Sequence, residues 1–424
     1  MYRRGVLHAD HVPTPAEIRE AAARLRPVAI ATALEVSPRL SREHGCEVLL
    51  KREDLQITRS YKIRGAYNLV EQLPDVIRGR GVVCASAGNH AQGVAYSCAR
   101  LGVPAFVFLP RSTPRQKLAR IREIGGEHTR IELAGDSYDE AAQTAIAFAD
   151  TKGLPVVPPF DHPDIIAGQG TVGLELVEAA SGPPDVLVVP VGGGGLIAGI
   201  AAYVRAEHPS AVIVGAEPAG APSMTRALEA GHPVWLSSLD PFVDGAAVRQ
   251  VGELPLRITA EMVDAVVEVA EGAVCTAMLR LYQHEGIVAE PAGALSVAAL
   301  DQLGERIRGR RVACVLSGGN NDVSRYAEVI ERSLVHEGLK HYFLVEFPQR
   351  PGALRGFIDG ALGPGDDITF FEYTKKTNRE SGPALVGIEL ARREDLEPLL
   401  ERMSRTGISY QALDSTSPLF SFLV

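Results

Sequence analysis

Lysine, cysteine and tryptophan are scarce in this chain: seven of its 43 basic residues are lysine, and it has five cysteines and one tryptophan among 424 residues. The cysteines are scattered and include no C-x-x-C pair, which argues against a disulfide framework and favours a reduced, cytoplasmic compartment. An excess of positive charge is also lacking, because the formal net charge is −9. We therefore expect no nucleic-acid partner, since binding a phosphate backbone requires clustered positive charge.

Long apolar segments are missing as well. Residues 186–204 carry no charge, but a proline and four consecutive glycines interrupt them, whereas a membrane-spanning helix needs about 20 consecutive apolar residues. A buried strand, a glycine turn and a helix account for this stretch, and no membrane span is expected. The first residues contain two arginines with no apolar stretch behind them, so no secretory signal is expected either.

The sequence does contain a regular alternation of short apolar runs and helical patterns. Thr14 is predicted to cap the first helix. Further along, GVVCASA precedes HAQGVAYSCARLG, VLVVPV precedes LIAGIAAYVRAEH, and RVACVLSGG precedes DVSRYAEVIERSL. Nearly continuous apolar strands that alternate with helices predict an α/β protein whose parallel sheets are covered on both faces.

The pattern changes near residue 337. HYFLVEFP, DITFFEYTKK, ALVGIELA and SYQALD are predicted strands, and PGALRGFIDGAL and REDLEPLLERMSRTG are predicted helices. Their order, βαββαβ, is the ferredoxin-like split motif. We therefore predict a first region over residues 1–335, in which a smaller subdomain at about 55–155 is inserted in a larger one. A second domain over 339–424 would follow a linker around Gly338.

The first segment that suggests chemistry is SYKIRGA, residues 60–66. Apolar spacing predicts a helix after Ser60, which places Lys62 in the first helical turn. The positive end of the helix dipole and burial would both disfavour an ammonium group there, and a neutral amine is what a Schiff-base lysine needs. The alternative is a solvated surface lysine, the usual situation of this residue type. Against it, arginine serves as the general surface cation of this chain.

The second segment is a glycine loop between a strand and a helix. It consists of Gly192, Gly193, Gly194, Gly195 and Leu196. Successive backbone N–H groups can converge there on a phosphate, helped by the N-terminus of the helix. The segment also matches the dinucleotide fingerprint G-x-G-x-x-A, and Glu217 follows about 20 residues later, where a ribose-binding carboxylate is expected. On this segment alone, a nicotinamide-dependent oxidoreductase remains an alternative.

Two further turns connect buried strands to helices. The first, SAGNH, consists of Ser86, Ala87, Gly88, Asn89 and His90. Its backbone N–H groups could hold a carboxylate and the Asn89 amide could bind a ligand, although an ordinary polar helix cap explains the turn equally well. In the second turn, LSGGN, Ser317 is placed to hydrogen-bond a ligand or else to cap the turn that follows.

Together these segments resemble the fold-type II pyridoxal-phosphate enzymes, which share the fold of the tryptophan synthase β subunit, and among them the threonine dehydratases. SYKIRGA is similar to the family's cofactor-lysine motif, SAGNHAQGVA to its asparagine loop, GGGGL to its phosphate loop and LSGGN to its serine motif, while residues 290–294 (EPAGA) resemble a segment near the cofactor. The resemblance implies that Lys62 binds pyridoxal 5′-phosphate as a Schiff base and acts on the Cα proton. The glycine loop would hold the phosphate, Asn89 the ring's 3′ oxygen and Ser317 the ring nitrogen, with the SAGNH turn on the substrate carboxylate.

The resemblance also implies a reaction. A serine can hydrogen-bond a neutral ring nitrogen, which disfavours a long-lived carbanion and favours prompt loss of the β-hydroxyl. Threonine would then yield 2-oxobutanoate and ammonia, with conversion of serine to pyruvate as a side activity. Ala87 stands where the related serine racemases carry an acid/base serine, so elimination is expected rather than racemisation. These racemases bind a divalent metal near the counterpart of Glu217, but Ser223 replaces an acidic residue here, and no metal is expected.

The βαββαβ unit resembles the ACT-like regulatory domain of biosynthetic threonine dehydratases. This implies feedback control by isoleucine or valine, with the effector at the turn of residues 347–354 (FPQRPGAL). It also implies a role in isoleucine synthesis and a homotetramer. Two alternatives remain at this point: the domain could serve only oligomer contacts, or the chain could be a catalytically idle amino-acid sensor.

Overall fold

The computed structural model describes residues 11–179, 182–373, 379–413, 420 and 423. The strands of these residues are Leu34–Val36 (β1), Glu47–Arg52 (β2), Val82–Ala85 (β3), Ala105–Leu109 (β4), Thr129–Leu133 (β5), Val186–Pro190 (β6), Val212–Pro218 (β7), Ala265–Val269 (β8), Arg311–Leu316 (β9), Lys340–Pro348 (β10), Asp367–Tyr373 (β11), Ser381–Glu389 (β12) and Ser409–Leu413 (β13). The helices are Pro15–Leu25 (α1), Pro38–His44 (α2), Lys62–Glu71 (α3), Asp75–Arg78 (α4), Asn89–Leu101 (α5), Arg115–Gly125 (α6), Tyr138–Lys152 (α7), Pro163–Val177 (α8), Gly195–Glu207 (α9), Ser223–Ala230 (α10), Glu253–Met262 (α11), Glu271–Glu285 (α12), Pro291–Ala298 (α13), Leu300–Leu303 (α14), Tyr326–His336 (α15), Ala353–Ala361 (α16) and Leu396–Arg405 (α17). The predicted alternation of strands and helices is confirmed.

Helix α1 shows how the local sequence sets a helix boundary. The Thr14 hydroxyl accepts a hydrogen bond from the Glu17 backbone N–H at 3.3 Å, and the Glu17 carboxylate accepts one from the Thr14 backbone N–H at 2.7 Å. These reciprocal bonds satisfy N–H groups that the start of a helix otherwise leaves without partners. The prediction that Thr14 caps the first helix is confirmed.

The large sheet has the strand order β1-β2-β9-β6-β7-β8. Strands β2, β9, β6, β7 and β8 are parallel, as predicted, whereas the edge strand β1 pairs antiparallel with β2. Strands β2, β9, β6 and β7 are almost wholly buried, because other elements cover both of their faces, whereas the edge strand β8 is mostly half-buried. Their carboxyl ends lie along one edge of the sheet, where the glycine loop follows β6 and Ser317 follows β9.

The uncharged stretch at residues 186–204 belongs to this sheet and the helix that follows it. It comprises β6, the glycine loop and most of α9, as the sequence predicted. Within the described ranges, every helix is too short or too polar to cross a bilayer.

The small sheet consists of the parallel strands β3, β4 and β5, in that order. Helices α3 and α5 pack against each other beside it, and their apolar faces share one core with β3 and β4. The contact between the helices is close: a Cβ atom at Gly93 would lie 3.1 Å from the Lys62 carbonyl carbon and oxygen. The helix that begins with Lys62 and the helix that begins with Asn89 are therefore neighbours.

A second compact unit begins at Asp322, and the first ends at Asn321. Its sheet has the order β11-β12-β10-β13, and all neighbouring strands are antiparallel. This is the strand order of the ferredoxin-like fold, so the predicted βαββαβ unit is confirmed. The last residues of the predicted strand DITFFEYTKK lie outside the described residues.

Helix α15 is part of this second unit, whereas the predicted region 1–335 included it in the first. The Glu331 carboxylate of α15 accepts hydrogen bonds from the Lys340 ammonium and from the Tyr342 hydroxyl, the latter at 2.6 Å. Both partners lie on β10 and are buried. These buried polar contacts fix α15 to the sheet of the second unit.

Four charged side chains form a buried network at the start of α3. Arg64 donates two hydrogen bonds to Glu53, both of 2.8 Å, and two to Glu175, of 2.6 and 3.0 Å. Lys51 also donates to Glu175. Burial by itself would raise the pKa of Glu53, but the charge and hydrogen bonds of Arg64 hold that pKa below its usual value. Arg64 therefore stabilises the charged form of the buried Glu53 carboxylate.

Replacing Arg64 by methionine is expected to lower the free energy of unfolding by about 3–5 kcal/mol, because buried carboxylates lose their main positive partner. Urea denaturation measures the difference. Arg120→Met is the matched control, since Arg120 pairs with Glu123 at the surface, where losing an ion pair costs less than about 1 kcal/mol. Equal destabilisation by the two substitutions would contradict the structural importance of the network.

Candidate functional site

Lys62 lies beside the carboxyl end of β9. The backbone N–H of Tyr61 donates to the Ser317 carbonyl at 3.2 Å, and Ser60 forms an isolated antiparallel bridge with Gly318. Helix α3 starts at Lys62, as predicted. Backbone hydrogen bonds thus hold the SYKIRGA and LSGGN segments together, although they are far apart in the sequence.

The amine of Lys62 is partly buried and faces polar and aromatic neighbours. Its Nζ donates to the Pro159 carbonyl at 2.8 Å and lies 5.2 Å from the centroid of the Tyr61 ring. Burial lowers the pKa of Lys62 from 10.5 to about 8, and the Glu290 carboxylate opposes this shift. At neutral pH such an amine has a far larger neutral fraction than a solvated lysine. It therefore suits nucleophilic attack on an aldehyde better than a surface lysine would.

The glycine loop between β6 and α9 leaves no room for side chains. A Cβ atom at Gly192 would lie 2.9 Å from the Cα and carbonyl oxygen of Ala246, and one at Gly193 would lie 2.1 Å from the ring of Phe160. Gly194 has a φ of +89°, which residues with a Cβ rarely adopt. The loop consequently presents backbone groups, next to the positive end of the α9 dipole. This cradle fits a phosphate group.

Pro159 and Phe160 connect this loop to the lysine. Pro159 accepts the hydrogen bond from Lys62, and the next residue, Phe160, packs on Gly193 and Gly195. The sequence analysis did not single out either residue, because VPPF has no feature that distinguishes it from an ordinary loop. The contacts show that Lys62 and the glycine loop belong to one site.

Asn89 is held by two further polar side chains. Its Nδ2 donates to Glu290 Oε1 at 2.6 Å, and its Oδ1 accepts from Asn320 Nδ2 at 2.7 Å. Burial and the nearby Asp244 raise the pKa of Glu290 to about 7, against hydrogen bonds that include the one from Asn89. The sequence analysis quoted the segments of Glu290 and Asn320 but assigned neither residue a role. Asn320 lies in the turn after β9, and Glu290 directly precedes α13. The available signal was that each belongs to a segment already quoted for its resemblance.

Ser317 is buried at the end of β9 and donates to the Ala292 carbonyl at 3.2 Å. Ala292 belongs to the EPAGA segment, so this hydroxyl connects the two segments instead of capping the turn that follows it. The hydrogen bond is long for a hydroxyl donor, and rotation about one bond would redirect it to a ligand. The structure thus brings Ser317 next to the Lys62 segment, and its contact with a ring nitrogen stays a prediction.

The sequence left open whether the SAGNH turn binds a ligand or is an ordinary polar helix cap, and the turn has features of both. The Ser86 hydroxyl accepts from the Gly88 backbone N–H at 3.2 Å, as in an ordinary turn, and α5 begins at Asn89 without a side-chain cap. His90 is buried and bonds the Val157 carbonyl at 2.9 Å, so its Nε2 is the donor. Burial and, to a smaller extent, the Lys62 charge lower the pKa of His90 to about 3. His90 is therefore a neutral structural histidine, and Asn89 is the residue of this turn that faces the other candidate groups.

Glu217 does not occupy a position from which it could bind a ribose. Its carboxylate accepts hydrogen bonds from the backbone N–H groups of Met224 and Thr225, the latter at 2.9 Å, and from the Thr225 hydroxyl at 2.9 Å. Burial raises the pKa of Glu217 to about 7, although these hydrogen bonds oppose the shift. The residue is a buried cap for the start of α10. Within the described part of the chain, no group of three acidic, histidine or cysteine side chains could hold a metal ion.

Comparison with protein families finds two matches along the chain. Residues 25–318 match the family described as pyridoxal-phosphate dependent enzyme. Residues 331–423 match the family described as the C-terminal regulatory domain of threonine dehydratase. The first match contains Lys62, the glycine loop, Asn89 and Ser317, and the second contains the ferredoxin-like sheet.

Curated proteins and solved structures agree with these matches. The chain is 55% identical over 411 residues to the biosynthetic L-threonine dehydratase IlvA of Mycobacterium tuberculosis, covering 96% of each chain. It is 48% identical over 407 residues to that of Bacillus subtilis, again covering 96% of each. Among solved structures, the processed threonine deaminase isoform 2 of Solanum lycopersicum superimposes with a TM-score of 0.72 and 36% identity, over 78% of this chain and 93% of that one. Maize serine racemase reaches a TM-score of 0.71 and 31% identity, over 77% and 99%.

Proposed function

This chain belongs to the family of pyridoxal-phosphate-dependent enzymes and, within it, to the threonine dehydratases, and we propose that it converts L-threonine to 2-oxobutanoate and ammonia at the site containing Lys62. The observation that carries the proposal is the partly buried amine of Lys62, which contacts Pro159 beside the glycine loop. The residues present fit pyridoxal phosphate. The glycine loop has no side chains in the space where a phosphate would bind, and the Lys62 amine has a lowered pKa.

Each group of the site has a role in this proposal. Pyridoxal phosphate, when bound, accepts electron density from the substrate Cα as that carbon loses its proton. Lys62 would hold the cofactor covalently, and its amine would take the Cα proton of the substrate. The glycine loop anchors the phosphate, Asn89 donates to the ring's phenolic oxygen, and Ser317 hydrogen-bonds the ring nitrogen. Backbone N–H groups of the SAGNH turn hold the substrate carboxylate.

The overall reaction removes one water and adds one water. The β-hydroxyl leaves as water when the Cα proton is taken, and hydrolysis of the released product yields ammonia and the 2-oxo acid. A serine at the ring nitrogen favours this outcome, because it does not require the nitrogen to carry a proton. Serine, which lacks the methyl group of threonine, is expected to react as well and to yield pyruvate, since one methyl changes binding by only about 1–3 kcal/mol.

Ala87 favours elimination over racemisation. It lies in the SAGNH turn and packs against the core of the small sheet, and its methyl group cannot deliver a proton to the substrate. A racemase must return a proton to the opposite face of Cα, which requires an acid there. Chiral analysis of serine left after partial reaction is therefore expected to show no D-serine.

A steady-state assay with threonine and serine, with and without isoleucine, tests the proposal. Formation of 2-oxobutanoate from threonine is the expected result, together with a visible absorbance band that threonine changes. Isoleucine binding without turnover would instead establish the idle amino-acid sensor. The nicotinamide-dependent alternative has lost its support, because the Glu217 carboxylate caps α10.

The regulatory unit contains a cavity that suits an amino-acid effector. It has a volume of about 530 Å³, and the lining includes Arg350, Gly352, Gly356, Arg405 and Thr406. The two arginines can bind a carboxylate, and the N-terminus of α16 adds positive potential. The predicted effector turn at residues 347–354 forms one wall. We propose that isoleucine or valine binds here and inhibits the enzyme, which would then act in isoleucine synthesis as a cytoplasmic homotetramer.

Filling this cavity is expected to weaken feedback inhibition while sparing catalysis. A Cβ at Gly356 would meet no atom within 4 Å, so Gly356→Leu extends into open space and suits the helix better than glycine does. We expect the isoleucine concentration for half-inhibition to rise at least about tenfold, the effect of losing roughly 1.4 kcal/mol of binding, with unchanged activity in the absence of effector. Gly356→Ala is the control and should remain sensitive; inhibition curves that match for all three proteins would place the effector elsewhere.

Attachment of pyridoxal phosphate to the cofactor-free chain is expected to speed up as the pH rises through about 8. The neutral amine is the attacking form, and burial shifts its titration down from 10.5. The rate of attachment should therefore level off above about pH 8. With a solvated lysine, the rate would instead increase about tenfold for each pH unit up to pH 10. Stopped-flow absorbance across this range distinguishes the two profiles, and a rate still rising steeply at pH 9.5 would contradict the burial of Lys62.

A further inference from the structure

The carboxamide of Asn89 lies in the middle of a chain of hydrogen bonds. Asn320 Nδ2 donates to the Thr58 carbonyl at 2.8 Å and to Asn89 Oδ1 at 2.7 Å. Asn89 Nδ2 then donates to Glu290 Oε1 at 2.6 Å. The four residues come from four separate segments, and neither Asn320 nor Glu290 has a role in the reaction as described above.

The direction of this chain of bonds follows from its two ends. The Thr58 carbonyl can only accept a hydrogen bond, so the NH₂ group of Asn320 must face it. The second N–H of that NH₂ group then points to Asn89, whose oxygen must face Asn320. At the other end Glu290, in its ionised form, can only accept, which requires the NH₂ group of Asn89. Both ends therefore select the same amide orientation of Asn89, with Oδ1 facing Asn320 and Nδ2 facing Glu290.

This orientation matters because an amide NH₂ group has two hydrogens. One is committed to Glu290, and the other is available to the phenolic oxygen of the cofactor. We propose that Asn320 and Glu290 are positioning residues, which hold Asn89 with its free N–H directed at that oxygen. The proposal rests on the proposed placement of the cofactor at Asn89.

Glu290 is itself firmly anchored. Its backbone N–H donates to the Gly318 carbonyl at 3.1 Å, and its side chain is buried. A Cβ atom at Gly318 would lie 2.2 Å from Glu290 Oε1 and 3.3 Å from Asn89 Nδ2. Gly318 directly follows Ser317, so the bond between Glu290 and Asn89 passes against the backbone of the turn that is proposed to serve the ring nitrogen. The two assigned ring contacts are thus joined through Glu290.

The test compares Asn320→Leu, Asn89→Ala and the double variant, each loaded with pyridoxal phosphate. Loss of a hydrogen bond to a charged oxygen is expected to lower kcat roughly tenfold to hundredfold. The KM for threonine should change less than about threefold, because the proposed contacts to the substrate carboxylate come from backbone N–H groups of the SAGNH turn, which these side-chain substitutions leave in place. The visible absorbance maximum of the bound cofactor should shift in both single variants. Since Asn320 acts through Asn89, the double variant should match Asn89→Ala within about twofold.

Two comparisons separate positioning from a general structural effect. Asn321→Leu is the matched control, because Asn321 is the next residue and its amide donates to the Ala289 carbonyl at 3.1 Å; its absorbance maximum should equal that of the unmodified enzyme. Glu290→Gln keeps an oxygen that can accept from Asn89 and should retain the maximum, whereas Glu290→Leu should shift it. If Asn320→Leu does not fold, the comparison of Glu290→Gln with Glu290→Leu still tests the proposal.

The results that overturn the inference are distinct from those that overturn the cofactor placement. Three results would each overturn the positioning inference, provided that Asn89→Ala still shifts the absorbance maximum. The first is an unchanged maximum in Asn320→Leu and Glu290→Leu. The second is an equal shift in Asn320→Leu and Asn321→Leu, and the third is a kcat loss in the double variant that equals the combined losses of the two single variants. A maximum that Asn89→Ala leaves unchanged would instead overturn the placement of the cofactor at Asn89, and this inference with it.

Discussion

Replacing Lys62 by alanine is expected to abolish 2-oxobutanoate formation, with a loss of roughly 10⁴-fold or more, because the group that takes the Cα proton and holds the cofactor is removed at once. The visible band of covalently bound cofactor should disappear. Borohydride reduction followed by peptide mass analysis should label the unmodified enzyme at Lys62 and leave the variant unlabelled. Pyridoxal phosphate should still bind the variant without a covalent bond, since the glycine loop is intact.

Lys152→Ala is the matched control for this experiment. Lys152 lies at the end of α7 and is exposed, so its loss should leave the activity and the absorbance band unchanged. A Lys62→Ala protein that keeps the covalent band would refute the central assignment. The scarcity of lysine helps here, because the label has to be located among only seven lysines.

Local sequence patterns predicted individual elements of this fold well. Thr14 caps α1, α3 starts at Lys62, and the βαββαβ order of the second unit is observed. Pairing between distant strands could not be predicted in the same way. Strand β2 pairs with β9, more than 250 residues away in the sequence, and β1 is antiparallel. Such pairings depend on how whole layers pack, and no local spacing of apolar residues encodes them.

The candidate site shows the same division between local and distant information. The segments of Lys62, Asn89 and Ser317 were identified in the sequence, and the structure brings them together. Their mutual contacts were not predictable, because the bond from Asn89 to Glu290 joins residues that are 201 positions apart. The glycine loop after β6 could also be interpreted in two ways, as a phosphate loop of a pyridoxal-phosphate enzyme or as a dinucleotide-binding fingerprint. The buried position of Glu217 at the start of α10 removed the support for one of them, and only the tertiary structure contains that information.

Replacing Gly192 by alanine is expected to have the second-largest effect, a loss of pyridoxal-phosphate affinity of roughly tenfold to hundredfold for each backbone N–H that turns away from the phosphate. The added Cβ would lie 2.9 Å from the Cα and the carbonyl oxygen of Ala246. These are backbone atoms, so one of the two segments must move, and overpacking of this kind costs about 1–3 kcal/mol of stability. Equilibrium dialysis of the cofactor and urea denaturation measure the two effects.

Gly79→Ala is the control, because a Cβ there would meet only the Asp75 carbonyl oxygen, at 3.5 Å, and the φ of −61° suits alanine. Gly193→Ala tests the steric cause separately. Its Cβ would meet the Phe160 ring at 2.1 Å, and a ring can be removed where a backbone cannot. Adding Phe160→Ala should therefore recover part of the cofactor affinity lost in Gly193→Ala and none of that lost in Gly192→Ala. Recovery in both, or in neither, would contradict the idea that close packing of the loop against these two neighbours shapes the phosphate cradle.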